Sequence, residues 1–321
     1  MWLSRLDLER ENLLAAHGCC DHIEDGGQLG LQLVYAVQPY LIRRGVLESG
    51  HRIITDALGR PGAQMRNLVR SRALFAAGWQ SYYMGRYADA TERLEESLSI
   101  AREINDRGMV ARVLQPLGAA FLGRGEPIKA RQYREEALLL ARGSGNRHQI
   151  AAALNALGQL TRAEGRFGEA ESLYADVLAI AREVGDRESV AFGLLNLAMS
   201  AIGQGRTDGV DEMLLEALAI GGETGSMPTV QSVLEVSAGL AAIKGDWQRT
   251  ALLFGAAEAQ AARTGLRRDP ADEAFLAPLV ARARLAAVST FSGDETAGRA
   301  LASDTATERV RAWLERSAPG A

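Results

Sequence analysis

The sequence predicts an all-α fold, a right-handed solenoid of helical hairpins with a forty-residue period, and three observations carry that expectation. Gly45, Gly85, Gly125, Gly165, Gly205 and Gly245 stand forty residues apart and open related stretches, such as "GRYADATERLEESLSIAREINDR" at Gly85 and "GRFGEAESLYADVLAIAREVGDR" at Gly165. Within these copies apolar residues recur at steps of three and four, the spacing of one helix face. The chain is 47% hydrophobic but only 6% aromatic, with few alternating Val, Ile and Thr runs, so a core of Ala and Leu is expected and strands are not. An unbroken period over much of 321 residues favours a repeat array over two ordinary domains.

In chain order, residues 1–27 read as a degenerate N-terminal helix, 28–267 as about six helical pairs, and 268–321 as a helical cap. The copy at Gly45 is fainter than the rest. In the copy at Gly165, Ala170, Leu173, Tyr174, Val177, Ile180, Ala181 and Val184 form the apolar face of a second helix. Upstream, "QIAAALNALGQLTRAEG" supplies a first helix through Ala153, Leu154, Leu157 and Leu160. Small residues recur at Gly78, Gly118, Gly158, Ala198 and Ala238, and at Ala90, Ala130 and Ala170, with Val210 and Thr250 departing from the rule. Such positions let helices approach to roughly 8 Å between axes. The forty-spaced glycines suit the left-handed residue that ends a first helix, and "INDR", "SGNR" and "VGDR" separate one pair from the next. Pro39 and Pro116 fall inside predicted first helices, where each removes a hydrogen bond and favours a kink.

Charge and motifs narrow the function classes. A formal charge of -4 offers no whole-chain attraction for nucleic acid. The local basic run Arg43, Arg44, Arg52, Arg60, Arg66, Arg70 and Arg72 lacks interleaved aromatics and reads as a solvated helix face. Asp7, Glu9 and Glu11 interrupt any secretory signal, and no apolar run approaches the roughly 18 residues of a membrane span, so a soluble cytoplasmic protein is expected. Two adjacent cysteines, Cys19 and Cys20, make no disulfide framework. "HGCCDH" from His17 to His22 offers metal-capable groups, but on a helix His17 and Cys20 share one face and Cys19 and His22 another, so no metal site is expected. "GQGRTDG" from Gly203 imitates a dinucleotide loop but follows a helix, and Gly205 is already explained by the repeat. No G-x-S-x-G, H-E-x-x-H or phosphate loop occurs, and the only lysines are Lys129 and Lys244. Neither an enzyme nor a bound cofactor is expected.

The repeats from about residue 70 to 267 resemble the tetratricopeptide family. "ALNALGQLTRAEGRFGEAESLYADVLAIARE" carries that family's Leu-Gly at Leu157 and Gly158, the Gly before the second helix at Gly165, the Ala inside it at Ala170, and a large residue at Tyr174. The usual repeat is about 34 residues; the longer one resembles the variant of kinesin light chains and large bacterial regulators. The ends resemble the C-terminal arm of bacterial signal-transduction ATPases of the LuxR and SARP regulator types. "WLSRLDLERENLLAA" matches the segment after the ATPase module at Asn12, Leu13, Ala15 and Ala16, with Glu11 in place of Asp. "ALLFGAAEAQAARTGLRRDPADEAFLAPLVARARLAAV" and "AGRALASDTATERVRAWL" are similar to the closing element. With no phosphate loop and no recognisable helix-turn-helix, the resemblance implies the sensory or protein-contact arm of a larger regulator, either excised or encoded separately.

A binding surface is expected on the inner wall. Counting from Gly158, the residues three before, one after and four after share one helix face. This selects Asn155, Gln159 and Arg162; in the preceding repeats Gln115, Ala119 and Leu122, then Phe75, Trp79 and Tyr82; and in the following one Leu195, Met199 and Ile202, with Asn196 one place along. Asn and Gln can hold a peptide backbone, and Trp79, Tyr82 and Tyr83 can stack a ring or an apolar side chain. The resemblance to kinesin light chains implies that Asn155 and Asn196 face a peptide; that to regulator arms implies that the wall can hold a small inducer. The alternative is that these polar groups bond between neighbouring helices and that the aromatics are core.

Overall fold

The structure, a computed structural model, describes residues 2–317; Met1 and residues 318–321, assigned above to the terminal elements, lie outside it. Seventeen helices and no strand occur among the described residues. They form two compact units, residues 2–145 with Gly265–Arg267, and Asn146–Thr264 with residues 268–317. The first holds α1 (Trp2–Leu8), α2 (Arg10–Cys19), α3 (Gly26–Arg43), α4 (Leu47–Gly59), α5 (Leu68–Tyr83), α6 (Tyr87–Glu103), α7 (Arg107–Gly123) and α8 (Pro127–Ser144). The second holds α9 (Arg147–Ala163), α10 (Phe167–Val184), α11 (Arg187–Gly203), α12 (Val210–Thr224), α13 (Met227–Ile243), α14 (Trp247–Thr264), α15 (Pro270–Ala286), α16 (Phe291–Arg299) and α17 (Ser303–Ser317).

The forty-residue count has a backbone cause. Gly85, Gly125 and Gly165 adopt φ of 73°, 76° and 77°, a left-handed conformation open to Gly at little cost. At the first of these, Gly85 N–H donates to Tyr82 O and Arg86 N–H to Ser81 O, both 2.9 Å, which satisfies the orphan carbonyls of α5. A second left-handed series, Asn105, Gly145, Gly185 and Gly225, closes the second helices. The next residue in each case, Asp106, Asn146, Asp186 or Ser226, caps the following first helix by accepting a backbone N–H three positions on.

Close helix approach explains the small residues. A Cβ at Gly158 would lie 2.5 Å from Cε1 of the fully buried Tyr174, so α9 and α10 pack at a distance that only Gly permits. The core of the first unit centres on Leu31, Val34, Ile54, Ala73 and Leu74, and that of the second on Leu194, Leu214, Val233, Leu253 and Leu314. Pro39 and Pro116 do sit inside α3 and α7. Lacking N–H groups, they deprive the carbonyls four residues back, at Tyr35 and Arg112, of their intrahelical donors.

Two expectations need correction. Arg60 and Arg70 are buried, not part of a solvated face. Arg60 bonds Asp21 at 2.6 Å and His17 O at 2.7 Å, and Arg70 bonds Glu96 at 2.8 Å and Ala63 O at 2.9 Å, pairings that offset the cost of taking a guanidinium out of water. The helix carrying "HGCCDH" ends at Cys19, so Cys20 to His22 lie in a turn. His17 Nε2 is 2.9 Å from Ile53 O, and burial lowers its pKa.

The closing element is built on two glycines from the segments that carry the terminal resemblance. A Cβ at Gly255 of α14 would lie 2.1 Å from Glu295 O, and one at Gly298 of α16 would lie 2.0 Å from Leu252 O. Each glycine accepts the other helix's backbone, which is why both segments carry Gly where the helices cross.

Candidate functional site

The inner positions counted from the sequence divide between the units, and the two sets are used differently. In the first unit Phe75, Trp79, Tyr82 and Tyr83 follow one another along α5 at helical spacing. Phase and packing turn them into a ladder. Phe75 meets Trp79 edge-on at 5.3 Å between ring centroids, Trp79 lies 6.2 Å from Tyr83, and Tyr83 meets Tyr82 at 5.5 Å. Tyr35 of α3 extends the ladder at one end, 6.4 Å from Phe75, and Tyr87 at the other, 6.0 Å from Tyr82. Phe75 is buried, whereas Tyr35, Trp79, Tyr82, Tyr83 and Tyr87 are half-buried. The indole N–H of Trp79 has no acceptor among the described residues.

Gln115 of α7 is half-buried, and Ala119 is buried beside it. Two arginines, Arg72 of α5 and Arg112 of α7, occupy equivalent repeat positions and are exposed. Arg112 Nη1 donates to the Tyr35 hydroxyl, and the Arg72 guanidinium sits 5.5 Å from the centroid of the same ring.

In the second unit the chain's own α15 takes up many of the inner positions. Arg162, 3% exposed, donates to Ala271 O at 3.0 Å and pairs with Asp272. Asn196 is buried and donates to Asn155 Oδ1 at 2.9 Å, so these two asparagines bridge α11 and α9. Met199, Leu195 and Ile202 are buried in the core, and Gln159 is half-buried. On α13, Glu235 stands at the repeat position of Asn155 and pairs with Arg268 at 3.1 Å. Gly239 stands at the position of Gln159, and a Cβ there would lie 2.7 Å from Phe275. Arg282 donates to Ala242 O at 2.6 Å. From Arg268 to Arg282, one face of the closing segment thus meets the inner residues of α9 and α13.

This packing buries charge. Burial pushes the Asp272 carboxyl up to about 6, against the pull of Arg162. Burial likewise lifts Glu235 to about 7, against Arg268 and the Gln231 amide, which donates to it at 3.1 Å. Glu235, Arg268 and Asp272 were not among the residues picked from sequence. The signal available for Glu235 was the count itself, which sets a carboxylate on the inner face of an otherwise apolar helix. Asp272 gives no comparable sign, because its partner lies 110 residues away.

Residues 110–183 and 149–221 match the Tetratricopeptide repeat family. No curated protein matches the chain. Among solved structures, a Rap protein complexed with Competence and Sporulation Factor shares 15% identity with a TM-score of 0.67, covering 97% of this chain and 84% of that one. BtubC (BKLC) from P. vanneervenii shares 18% identity over 72% of this chain and 94% of that one, with a TM-score of 0.48. A chain from Podosopora anserina described as kinesin light chain TPR-like repeats shares 19% over 62% of this chain and 99% of that one, with a TM-score of 0.44. The fold is therefore an all-α, tetratricopeptide-like solenoid. No described helix is long and apolar enough to cross a membrane.

Proposed function

We propose that this tetratricopeptide-like scaffold binds an extended segment of a protein partner on the inner face of its first unit, without catalysing a reaction. The observation that carries the reading is the ladder of rings along α5, in which Trp79, Tyr82 and Tyr83 remain half-buried. Rings of this kind offer large contact area at low entropic cost. From Phe75 to Tyr83 the helix rises roughly 12 Å, the length of about four extended residues. The half-buried amide of Gln115 supplies a polar group of the kind that orients a backbone. The Rap protein, similar in fold, was solved with Competence and Sporulation Factor bound.

The wider role proposed is the partner- or inducer-sensing arm of a bacterial cytoplasmic signalling ATPase or transcriptional regulator. Its support is the resemblance of both termini; in the C-terminal one, Gly255 and Gly298 let α14 and α16 approach closely. Occupancy of the face would act on the regulator only if the ligand binds two arm conformations unequally. In this role Asn155, Arg162, Asn196 and Met199 hold the second unit together, Phe75 backs the ladder from the core, and Trp79, Tyr82, Tyr83 and Gln115 meet the ligand.

Two measurements test the reading. Trp79→Ala, checked by circular dichroism for intact helicity, should abolish binding of peptides that the unaltered chain selects; retained binding would overturn the proposed face. An immunoblot of the source cell separates the wider roles. A band far above 34.4 kDa supports the regulator arm, and a band at that mass supports a free-standing adaptor.

A further inference from the structure

Across the repeats, arginines are matched to carboxylates one repeat away. Arg66 pairs with Glu103, Arg86 with Glu48, Arg102 with Glu136 and Arg187 with Glu223. Arg72 and Arg112 do not follow this pattern, and what sets them apart from other arginines without an ion pair among the described residues, such as Arg107 and Arg142, is that they converge. Neither Arg72 nor Arg112 forms such a pair, although both are brought onto one tyrosine, Tyr35. Two like charges held at one ring repel each other, a cost that a shared anion would reverse. In the same two helices Pro39 and Pro116 leave the carbonyls of Tyr35 and Arg112 without the donor four residues on. The end of the ladder therefore combines two cations without an ion pair at one tyrosine, in helices that each carry a carbonyl lacking its usual donor, and the ladder itself begins next to that tyrosine at Phe75.

We propose that Arg72, Arg112 and Tyr35 form a carboxylate-recognising subsite, which takes an internal Asp or Glu side chain of an extended peptide whose following apolar residues lie on Trp79 and Tyr82. The inference rests on the proposed binding face and specifies its ligand. Guanidinium forks match a carboxylate's two oxygens. The freed carbonyls accept main-chain N–H groups, which requires the peptide backbone to continue past the acid. A chain terminus would not supply donors on both sides, so an internal acid is the source. Tyr35 holds both arginines in place from the side, so its hydroxyl is a positioning group.

The test uses the full chain and an array of random N-acetylated decapeptides, each made once with an amidated and once with a free C-terminus. Bound sequences are expected to carry an Asp or Glu within about four residues of an aromatic or large apolar residue, the span the ladder sets. Changing that acid to its amide should weaken binding by about tenfold or more, the scale of a charge-assisted pair. The double variant R72Q/R112Q should weaken the acidic peptide by the same factor and the amide peptide by much less, since both arginines are exposed and form no ion pair among the described residues. Y35F should give a smaller loss confined to acidic peptides. If R72Q/R112Q binds the acidic peptide as tightly as the unaltered chain, or if only peptides with a free C-terminal carboxylate bind, the subsite is wrong while W79A still tests the face. If no peptide binds, or W79A is without effect, the face itself is wrong and the subsite falls with it.

Discussion

Arg162 offers the sharpest test of whether α15 is a fixed part of the second unit. Its side chain is 2% exposed and that of Asp272 18%, and the guanidinium also holds Ala271 O. Arg162→Met removes the cation but leaves the carboxylate in place. Breaking a buried pair in this way costs about 3–5 kcal/mol, and the residual water access of Asp272 argues for the lower end. A loss of about 3 kcal/mol corresponds to a hundredfold or greater fall in local protection against hydrogen exchange. The assay is amide exchange followed by mass spectrometry, read on peptides from α15 and α9. Repeat arrays can unfold in stages, so a local readout is preferable to one global midpoint. The double variant R162M/D272L should recover most of the loss, because no charge is left stranded. As a control, Arg187→Met breaks the exposed pair with Glu223 and should cost only about 0–1 kcal/mol. If R162M leaves exchange in α15 within a factor of about three, the side chain is not a strut, and its place among ligand-facing residues would be restored.

The other predictions rest on separate features. Gly158→Ala gains up to about 1 kcal/mol of helix propensity but drives a Cβ to 2.5 Å from Tyr174, so overpacking of about 1–3 kcal/mol should win and lower the melting temperature. Gly143→Ala, with nothing within 4 Å, should raise it, and equal shifts in the two variants would refute the close-approach argument. Burial holds Glu235 up at about 7 from its ordinary 4.5, so between those values the folded chain keeps a proton that the unfolded chain has released. Stability should therefore fall as pH rises through that window and level off above it, and E235Q should flatten the fall by up to about 1.4 kcal/mol per pH unit; urea titrations at several pH values with equal slopes for both chains would contradict this. Asp106→Ala removes the acceptor for Met109 N–H, 2.8 Å away, and should cost about 1 kcal/mol in the same titrations, most visibly in exchange at the start of α7.

What could be read from the sequence was whatever local geometry imposes. Gly85 and Gly165 mark left-handed turns that few other residues tolerate, so their spacing carried the hairpin architecture directly. Gly158 and Ala170 repeat because helix contact is set by short-range packing, and Phe75, Trp79 and Tyr82 share a helix face by arithmetic alone. The counting could not say what covers that face. Arg162 and Asn155 satisfy the same positional rule as Trp79, yet Arg162 is held by Asp272 and Asn155 by Asn196. The first of those pairings joins residues 110 apart, far beyond the repeat, and depends on where α15 folds back. Arg60 and Arg70 were misread for a related reason: a charged residue looks solvated until its carboxylate and carbonyl partners are in place. Arg72 stands out only because it meets Arg112 at Tyr35, a convergence that three-dimensional packing exposes.

The central claim is that a partner segment lies on the inner face of the first unit. Hydrogen exchange of the full chain, with and without a saturating array-selected peptide, tests it most directly. The account predicts added protection in α5 and α7, at Leu68–Tyr83 and Arg107–Gly123, with exchange in α15 unchanged. Protection confined to the second helices α6 and α8, or a loosening of α15 with new protection along α9 and α13, would contradict it.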